Sequence, residues 1–305
     1  MQLRLGINNC FAVKRWPQPS DWAPIVRDRL GLRLVEHSLD LVALEDERVA
    51  QAQAAALAAT TREFGLTVHS TFTGLAAYSS NLLLHPDPAA RQLALAWFRR
   101  VIEFSAAVGA RGTGGHVGAF SVADWQDPAQ RVARWQGLRQ ALRDLAADAT
   151  RARLAFFLVE NLAAAREPST MHMVEELLTE GDDSHVPVRL CLDVGHMCVP
   201  GTRGDDRNPY AWLRNLGAVA LEVQLQQSDA SGDHHWPFTP EHNREGRIDA
   251  DRVIDALGEG GVETCALILE VIPAFEQDDD EVLKDLVVSV VYWREALARR
   301  GVLAG

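Results

Sequence analysis

The sequence predicts an α/β fold, a (β/α)8 TIM barrel that forms a single domain over residues 1–305. Short apolar runs alternate strictly with amphipathic helical stretches, and there are eight of each. Alternating strand and helix patterns predict a parallel sheet with helical crossovers. Eight such units of roughly 38 residues each fit a closed barrel.

The strand predictions rest on short apolar runs that should be buried on both faces of a parallel sheet. The predicted strands are residues 3–8, 32–38, 66–71, 112–116, 154–160, 188–193, 219–226 and 266–271. An open doubly wound sheet would normally show a glycine-rich phosphate turn after its first strand. The residues there, GINNC over positions 6–10, do not supply one.

The helix predictions rest on amphipathic spacing together with start and stop signals. Gly65 is the predicted stop of the second helix, and Ser169 is the predicted N-cap of the fifth. The acidic run at 278–281 predicts the start of the closing helix, where negative charge suits the helix dipole. The predicted helices are residues 22–30, 47–64, 88–108, 128–151, 169–179, 209–216, 250–257 and 281–299.

Composition narrows the class of protein. The chain is 47% hydrophobic and 24% charged, which is typical of a globular protein, and its net charge is −12. A duplex-binding protein usually carries a basic face, so nucleic acid is not an expected partner. The apolar runs are far shorter than the roughly 20 residues of a membrane span, and the N-terminus does not resemble a signal peptide. We therefore expect a cytoplasmic protein without a membrane partner, whose four cysteines are reduced and buried.

Polar side chains collect where the predicted strands end, which is where a barrel of this kind carries its active site. Each one alone has a structural explanation as a helix cap, a turn former or a hydrogen-bonded wall residue. Three carboxylates at one barrel mouth would repel one another and lose solvation, and a divalent cation would remove that conflict. The residues at these ends include His69, His116, Glu160, Asp193, His196, Gln224 and Glu270.

This set resembles the xylose-isomerase-like TIM barrels, which include sugar phosphate isomerases and epimerases. The resemblance is carried by Glu160, the motif from Asp193 to His196, Gln224 and Glu270, and it covers essentially the whole chain. Two longer stretches, STFTGLAAY at 70–78 and QQSDASGDHHWPF at 226–238, are similar to barrel proteins of erythritol and threitol breakdown that act on erythrulose phosphates.

The resemblance implies a metal site and an acid–base pair. Glu160, Asp193, Gln224 and Glu270 would bind one divalent ion, and Glu160 and Glu270 would also transfer the substrate proton. Many family members have histidine where this chain has Gln224. An amide oxygen is a harder ligand than imidazole, so Mn²⁺ or Mg²⁺ is expected ahead of Co²⁺ or Zn²⁺.

The expected partner is a small sugar or sugar phosphate. The same resemblance implies that the chain could form a homo-oligomer. Aromatic side chains around a barrel mouth would exclude water from such a substrate. Loop cations and histidines are candidates for a phosphate group, although such residues are usually solvated surface charge. The predicted substrate-binding residues are Lys14, His69, His116, His196, His234, His235 and Trp236.

Several activities remain open at this point. The resemblance implies a metal-dependent isomerase or epimerase that acts through an enediolate on a small ketose, with 3-epimerisation of a tetrulose phosphate such as erythrulose phosphate as the first expectation. An aldose–ketose or ketose–ketose isomerase needs the same residues, so erythrulose phosphate isomerase or hydroxypyruvate isomerase activity is the alternative. A sugar dehydratase or an abasic-site endonuclease could use the same barrel. The charge of −12 argues against the endonuclease, which needs a cationic groove.

Overall fold

A computed structural model describes residues 1–182 and 184–302. Its eight parallel strands form a closed barrel in the order β1 to β8, which confirms the predicted fold class. The strands are β1 (Gln2–Asn8), β2 (Leu34–Ser38), β3 (Thr67–Phe72), β4 (Gly112–Gly115), β5 (Phe156–Glu160), β6 (Val188–Asp193), β7 (Ala220–Leu225) and β8 (Thr264–Leu269).

The helices lie between the strands, as predicted, with short additional helices in the loops. They are α1 (Pro19–Pro24), α2 (Glu47–Glu63), α3 (Gly74–Ala77), α4 (Pro88–Ala107), α5 (Val122–Gln126), α6 (Pro128–Arg151), α7 (Met171–Glu175), α8 (Pro209–Leu216), α9 (Pro240–Glu245), α10 (Ala250–Glu259) and α11 (Asp279–Arg299). In the described residues, no helix is both long and apolar enough to cross a membrane.

Most differences from the predicted elements lie at their ends, although the helix predicted at 22–30 begins at Pro19 and continues after Pro24 as a π-helix over Ile25–Arg29. The helix predicted at 169–179 is only the short α7, and its N-cap is Thr170 rather than Ser169, because Thr170 accepts the bond from the Met173 amide. Helix α11 begins two residues earlier than predicted, because Asp278 accepts bonds from the next amides and caps it. The predicted stop at Gly65 is confirmed by its φ of 61°.

The chain divides into two compact units, and the first comprises Met1–Glu36, Thr60–Thr67 and Cys191–Gly305. In it, β8 pairs with both β1 and β7, so that Gly6 and Gln224 each lie beside Ile268. Gly6 has no room for a side chain, because an added Cβ would lie 2.8 Å from the Leu34 oxygen and 2.9 Å from Ile268 Cδ1. This close packing fixes the strands that carry Asn8, Gln224 and Glu270.

The second unit comprises His37–Ala59 and Val68–Leu190. Its apolar core joins α4 and α6 to the outer face of β5 through residues such as Phe98, Leu142 and Phe157. A buried hydroxyl cluster of Thr71, Ser105 and Thr113 links β3, α4 and β4. The division into two units does not test the predicted single domain over residues 1–305, which stays a prediction.

The four cysteines are Cys10, Cys191, Cys198 and Cys265. All four are free thiols and buried, as the composition predicted.

Candidate functional site

The carboxylate Glu270 directly follows β8 and is buried in the first unit. Its Oε1 accepts a hydrogen bond of 2.9 Å from Asn8 Nδ2. Its Oε2 lies 3.6 Å from Nδ1 of His235. The Asn8 bond therefore orients this carboxylate and the His235 ring lies close to its other oxygen, which suits the group to bind an ion or to exchange a proton with a substrate.

Asp193 ends β6 and is held by the turn that follows it. Its Oδ1 accepts bonds from the backbone amides of Gly195 and His196, at 2.6 and 3.2 Å. The side-chain amide of Gln226 donates to both of its oxygens, at 3.1 and 3.2 Å. The turn and the glutamine therefore fix this buried carboxylate before any ligand arrives.

The two ends of the Gln224 side-chain amide have different surroundings among the described residues. Its Nε2 donates to Glu36 Oε2 at 2.9 Å, which sets the orientation of the planar amide. Its Oε1 is buried, and in residues 1–182 and 184–302 it has no hydrogen-bond partner. An unsatisfied buried oxygen is costly, so this oxygen is available to a bound group that can accept its lone pair. A hard divalent cation such as Mn²⁺ or Mg²⁺ fits an amide oxygen beside carboxylates.

His196 and His235 each contact one oxygen of Asp233, and their rings meet edge to face. The Nε2 atoms of the two rings are 3.2 and 3.1 Å from the oxygens of that carboxylate. Burial alone would raise the pKa of Asp233, but the charges of His196 and His235 and their hydrogen bonds hold it well below its ordinary value. Asp233 is therefore ionised at neutral pH and orients both imidazoles.

The same two histidines also offer nitrogen ligands beside Asp193. One ligand atom from each of Asp193, His196 and His235 lies within 4.8 Å of the other two. Nitrogen donors at this place would extend the range of acceptable ions toward Co²⁺ and Zn²⁺. In the described structure, Gln226 occupies the space between the groups, since its Nε2 also lies 3.2 Å from His235 Nε2.

A second buried carboxyl group lies behind Gln224. Glu36 on β2 contacts Glu222 on β7, and one atom from each of Glu36, Glu222 and Cys191 lies within 4.8 Å of the others. Burial raises the pKa of Glu36 well above its ordinary value, and the charge of Glu222 and a hydrogen bond with it add to the effect. The bonds from Gln224 and Asn8 lower it by less. Burial and the neighbouring carboxyl therefore favour the protonated form of Glu36.

In the second unit, Glu160 ends β5 and is buried. Its Oε2 accepts a hydrogen bond of 2.5 Å from the Tyr78 hydroxyl. The Tyr78 ring stacks on His116, with ring centroids 4.8 Å apart. His116 is also held by Thr73, whose Oγ1 accepts a bond from the His116 amide at 2.9 Å. Tyr78, on a loop with little strand or helix pattern, thus positions a predicted catalytic carboxylate.

The remaining predicted substrate-binding residues are more scattered. His69 lies within β3 and packs against the Phe156 ring, with centroids 5.6 Å apart. Lys14 is exposed, and its Nζ lies 4.3 Å from the centroid of Phe275. His234 stacks on Trp236 at 4.0 Å and its Nε2 lies 2.9 Å from Asp229.

The structure therefore joins part of the predicted set and adds residues to it. Hydrogen bonds and close contacts connect Asp193, His196, Gln224, His235 and Glu270 within the first unit. The connecting residues are Asn8, Glu36, Gln226 and Asp233, none of which the sequence assigned to the site. For Gln226, the available signal was the alternation of Glu222 and Gln224 in β7, which Gln226 continues directly after the strand, because alternate residues of a strand share one face.

Three comparisons with known proteins agree with this architecture. A D-erythrulose 1-phosphate 3-epimerase of Brucella abortus (strain 2308) is 27% identical over 306 residues, which cover 96% of each chain. A crystal structure from Rhodospirillum rubrum, whose description names xylose isomerase, is 32% identical with a TM-score of 0.88, covering 96% of this chain and 99% of that one.

A D-psicose 3-epimerase structure from Clostridium cellulolyticum H10 shares the fold, with a TM-score of 0.68 at 16% identity. It covers 96% of this chain and 99% of its own. The model of the xylose isomerase-like TIM barrel family matches residues 28–286. That match spans most of the barrel, and this chain belongs to the xylose isomerase-like TIM barrel family.

Proposed function

We propose that this chain is a divalent-metal-dependent 3-epimerase of a tetrulose phosphate, with erythrulose 1-phosphate as the substrate. The coarser statement, that the chain is a sugar epimerase or isomerase acting on a small sugar, follows from its relatives. One observation carries the metal-dependent part. The buried Oε1 of Gln224 has no hydrogen-bond partner among the described residues, while its amide nitrogen is tied to the network that holds Glu270.

The proposed metal ligands are Glu160, Asp193, Gln224 and Glu270. Each ends a strand, lies within one near its end, or directly follows it, which is where barrels place catalytic groups. When bound, a divalent cation supplies stabilisation of the negative charge that develops on the carbonyl oxygen. Three carboxylates and an amide favour Mn²⁺ or Mg²⁺, and a histidine ligand would make Co²⁺ or Zn²⁺ suitable as well.

Proton transfer is assigned to Glu160 and Glu270. One carboxylate takes the proton from C3, so that the C3–H bond breaks and its electron pair moves toward the C2 carbonyl. The other carboxyl group returns a proton to C3 from the opposite face, which inverts that centre. The two groups are held differently: Tyr78 donates to Glu160, whereas Asn8 and His235 hold Glu270. Fixed carboxylates of this kind are suited to general acid–base catalysis.

Substrate binding is assigned to the histidines around these carboxylates. His196 and His235, both in contact with Asp233, are proposed to bond to sugar hydroxyl groups. His69 and His116 are proposed as further contacts. The phosphate group would be bound by the exposed Lys14 and by His234, and Trp236, which stacks on His234, would exclude water from the substrate. Arg247 is a weaker phosphate ligand, since its guanidinium donates to the carbonyls of Arg207 and Met197.

The test is solvent exchange followed by NMR. The protein is stripped with chelator, reloaded with Mn²⁺ or Mg²⁺, and incubated with erythrulose 1-phosphate in D₂O. We expect metal-dependent uptake of deuterium at C3 and formation of the C3 epimer. General acid–base groups contribute about 10² to 10⁴ in rate, so Glu270→Gln should reduce exchange by at least about a hundredfold. Glu276→Gln, the same change at an exposed loop position, is the matched control.

The other outcomes separate the alternatives. A product with its carbonyl moved to another carbon would identify an isomerase instead of an epimerase. Exchange only with free ketoses or hydroxypyruvate would contradict the phosphorylated substrate. Cleavage of an abasic oligonucleotide, or the absence of both exchange and bound metal, would contradict the proposed activity itself.

A further inference from the structure

Glu36 connects two residues of the proposed site without belonging to it. Its Oε2 accepts one hydrogen bond from Gln224 Nε2 at 2.9 Å and another from Asn8 Nδ2 at 2.7 Å. The same Asn8 amide group donates its second hydrogen to Glu270 Oε1 at 2.9 Å. All four side chains are buried, with exposures of 4% or less. A single oxygen atom therefore determines the position of two amides.

Each amide depends on this oxygen for its orientation. The oxygen and nitrogen of Gln224 lie on opposite sides of one planar group. Fixing Nε2 against Glu36 therefore turns Oε1 away from Glu36 toward the place where it has no protein partner. Asn8 is held from its other end as well, since its Oδ1 accepts a bond from the Cys10 amide at 2.8 Å. With its ends fixed, Asn8 can hold Glu270 in one rotamer.

We propose that Glu36 is a positioning residue whose Oε2 sets both the metal-facing oxygen of Gln224 and, through Asn8, the carboxylate of Glu270. This inference rests on the proposed function, because it assigns a purpose to those two groups. Glu36 itself would contact neither metal nor substrate. Groups that orient metal ligands typically change metal affinity or activity by 10- to 100-fold when they are replaced.

Two substitutions separate the position of the oxygen from the charge of the group. Glu36→Asp keeps the carboxyl but withdraws it by one methylene, about 1.5 Å. Neither amide can then be reached at hydrogen-bond distance without moving. Glu36→Gln keeps the length, and its carbonyl oxygen can occupy the Oε2 position and accept both bonds. If the position of the oxygen matters, Glu36→Asp should lose metal affinity and turnover and Glu36→Gln should keep them. If the charge of the group matters, the opposite result is expected.

Ser105→Ala is the matched control for the loss of buried hydrogen bonds. Ser105 is fully buried on α4, and its hydroxyl contacts Thr71 Oγ1 and the Val101 carbonyl, both at 2.6 Å. It lies in the second unit, in a hydroxyl cluster to which no catalytic or binding role is assigned. Its replacement should lower the melting temperature without changing metal affinity or turnover.

The experiment is calorimetric titration of metal-stripped wild type and the three variants with Mn²⁺, followed by kcat and KM for C3 epimerisation. We expect one Mn²⁺ site in wild type, a dissociation constant raised at least about tenfold in Glu36→Asp, and a change of less than about threefold in Glu36→Gln and Ser105→Ala. The loss of epimerase activity in Glu36→Asp should appear mainly as a lower kcat, because Glu270 would be misplaced.

Wild-type affinity and kcat in Glu36→Asp would overturn the positioning role while leaving the proposed function intact. Equal defects in the aspartate and glutamine variants, or an equal defect in Ser105→Ala, would overturn it as well. If Glu36→Asp fails to fold, a defect of tenfold or more in folded Glu36→Gln overturns it and wild-type behaviour supports it. Absence of Mn²⁺ binding by wild type would contradict the proposed function, and with it this inference.

Discussion

Tyr78→Phe removes one hydroxyl group and tests whether Glu160 takes part in proton transfer. The Tyr78 hydroxyl donates to the Glu160 carboxylate at 2.5 Å, and the carboxylate is fully buried. Phenylalanine keeps the ring, and therefore keeps the stacking on His116 at 4.8 Å. The substitution thus removes the constraint on Glu160 with little change in packing.

The size of the effect follows from the kind of bond. Hydrogen bonds to charged groups contribute about 1.5–3 kcal/mol, and 1.36 kcal/mol corresponds to a factor of ten in rate. If the bond fixes a proton-transferring carboxylate, its full loss in the transition state lowers kcat by about ten- to hundredfold. KM should change by less than about threefold, because the hydroxyl is engaged by Glu160 and the ring remains in place.

The assay is C3 deuterium exchange with the metal-loaded protein, together with thermal unfolding. Tyr292→Phe is the matched control, since the Tyr292 hydroxyl accepts a bond from the Ala250 amide at 3.1 Å, at the start of α10. Both variants should lose about 1–3 kcal/mol of stability at most, but only Tyr78→Phe should lose turnover. Wild-type kcat in Tyr78→Phe, with the ring still folded in place, would refute a catalytic role for this constraint.

Three further substitutions test other parts of the molecule. Gly114→Ala should lower the free energy of unfolding by about 3 kcal/mol or more, because the added Cβ would lie 2.1 Å from the Leu158 oxygen at a φ of 153°. An unchanged melting curve would contradict the tight packing of β4 against β5. Burial lowers the pKa of His37 from 6.5 to about 3. Between pH 6.5 and about pH 3 only the unfolded chain gains that proton. The free energy of unfolding should therefore be about 2–3 kcal/mol lower at pH 4.5 than at neutral pH, and denaturant titrations of His37→Gln should lack this component. Asp233→Asn should lower kcat roughly tenfold by releasing the two histidines it orients, whereas unchanged kinetics would show that their orientation has another source.

The sequence was a good guide to the barrel because burial on both faces leaves a distinct pattern. Strands of a parallel barrel are continuous apolar runs, and eight such runs separated by amphipathic stretches allow few other folds. The ends were harder to predict, since they depend on which side chain reaches a free amide. Thr170 rather than Ser169 caps α7, and Asp278 caps α11, and a sequence pattern cannot choose between adjacent candidates of the same chemistry.

The candidate site was predicted only where a polar residue interrupts or ends an apolar run. Asp193 and Glu160 end their strands, so the sequence pattern predicted them as site residues. Asn8 and Glu36 also stand in or at the end of strands, but their roles depend on the pairing of β1 with β2, which places them side by side. Tyr78 reaches Glu160 across 82 positions of sequence. Contacts of that kind are set by the fold, and no local pattern encodes them.

The buried polar residues of β7 and of the position directly after it support a site that is organised at the expense of stability. Glu222, Gln224 and Gln226 are fully buried, and a barrel interior is normally filled by branched apolar side chains. Burying two neighbouring carboxyl groups such as Glu36 and Glu222 costs desolvation free energy that a well-packed apolar pair would not. Their presence is better explained by what they hold, since the chain of bonds from them ends at Gln224 and Glu270. A barrel selected for stability alone would have no reason to keep that chain.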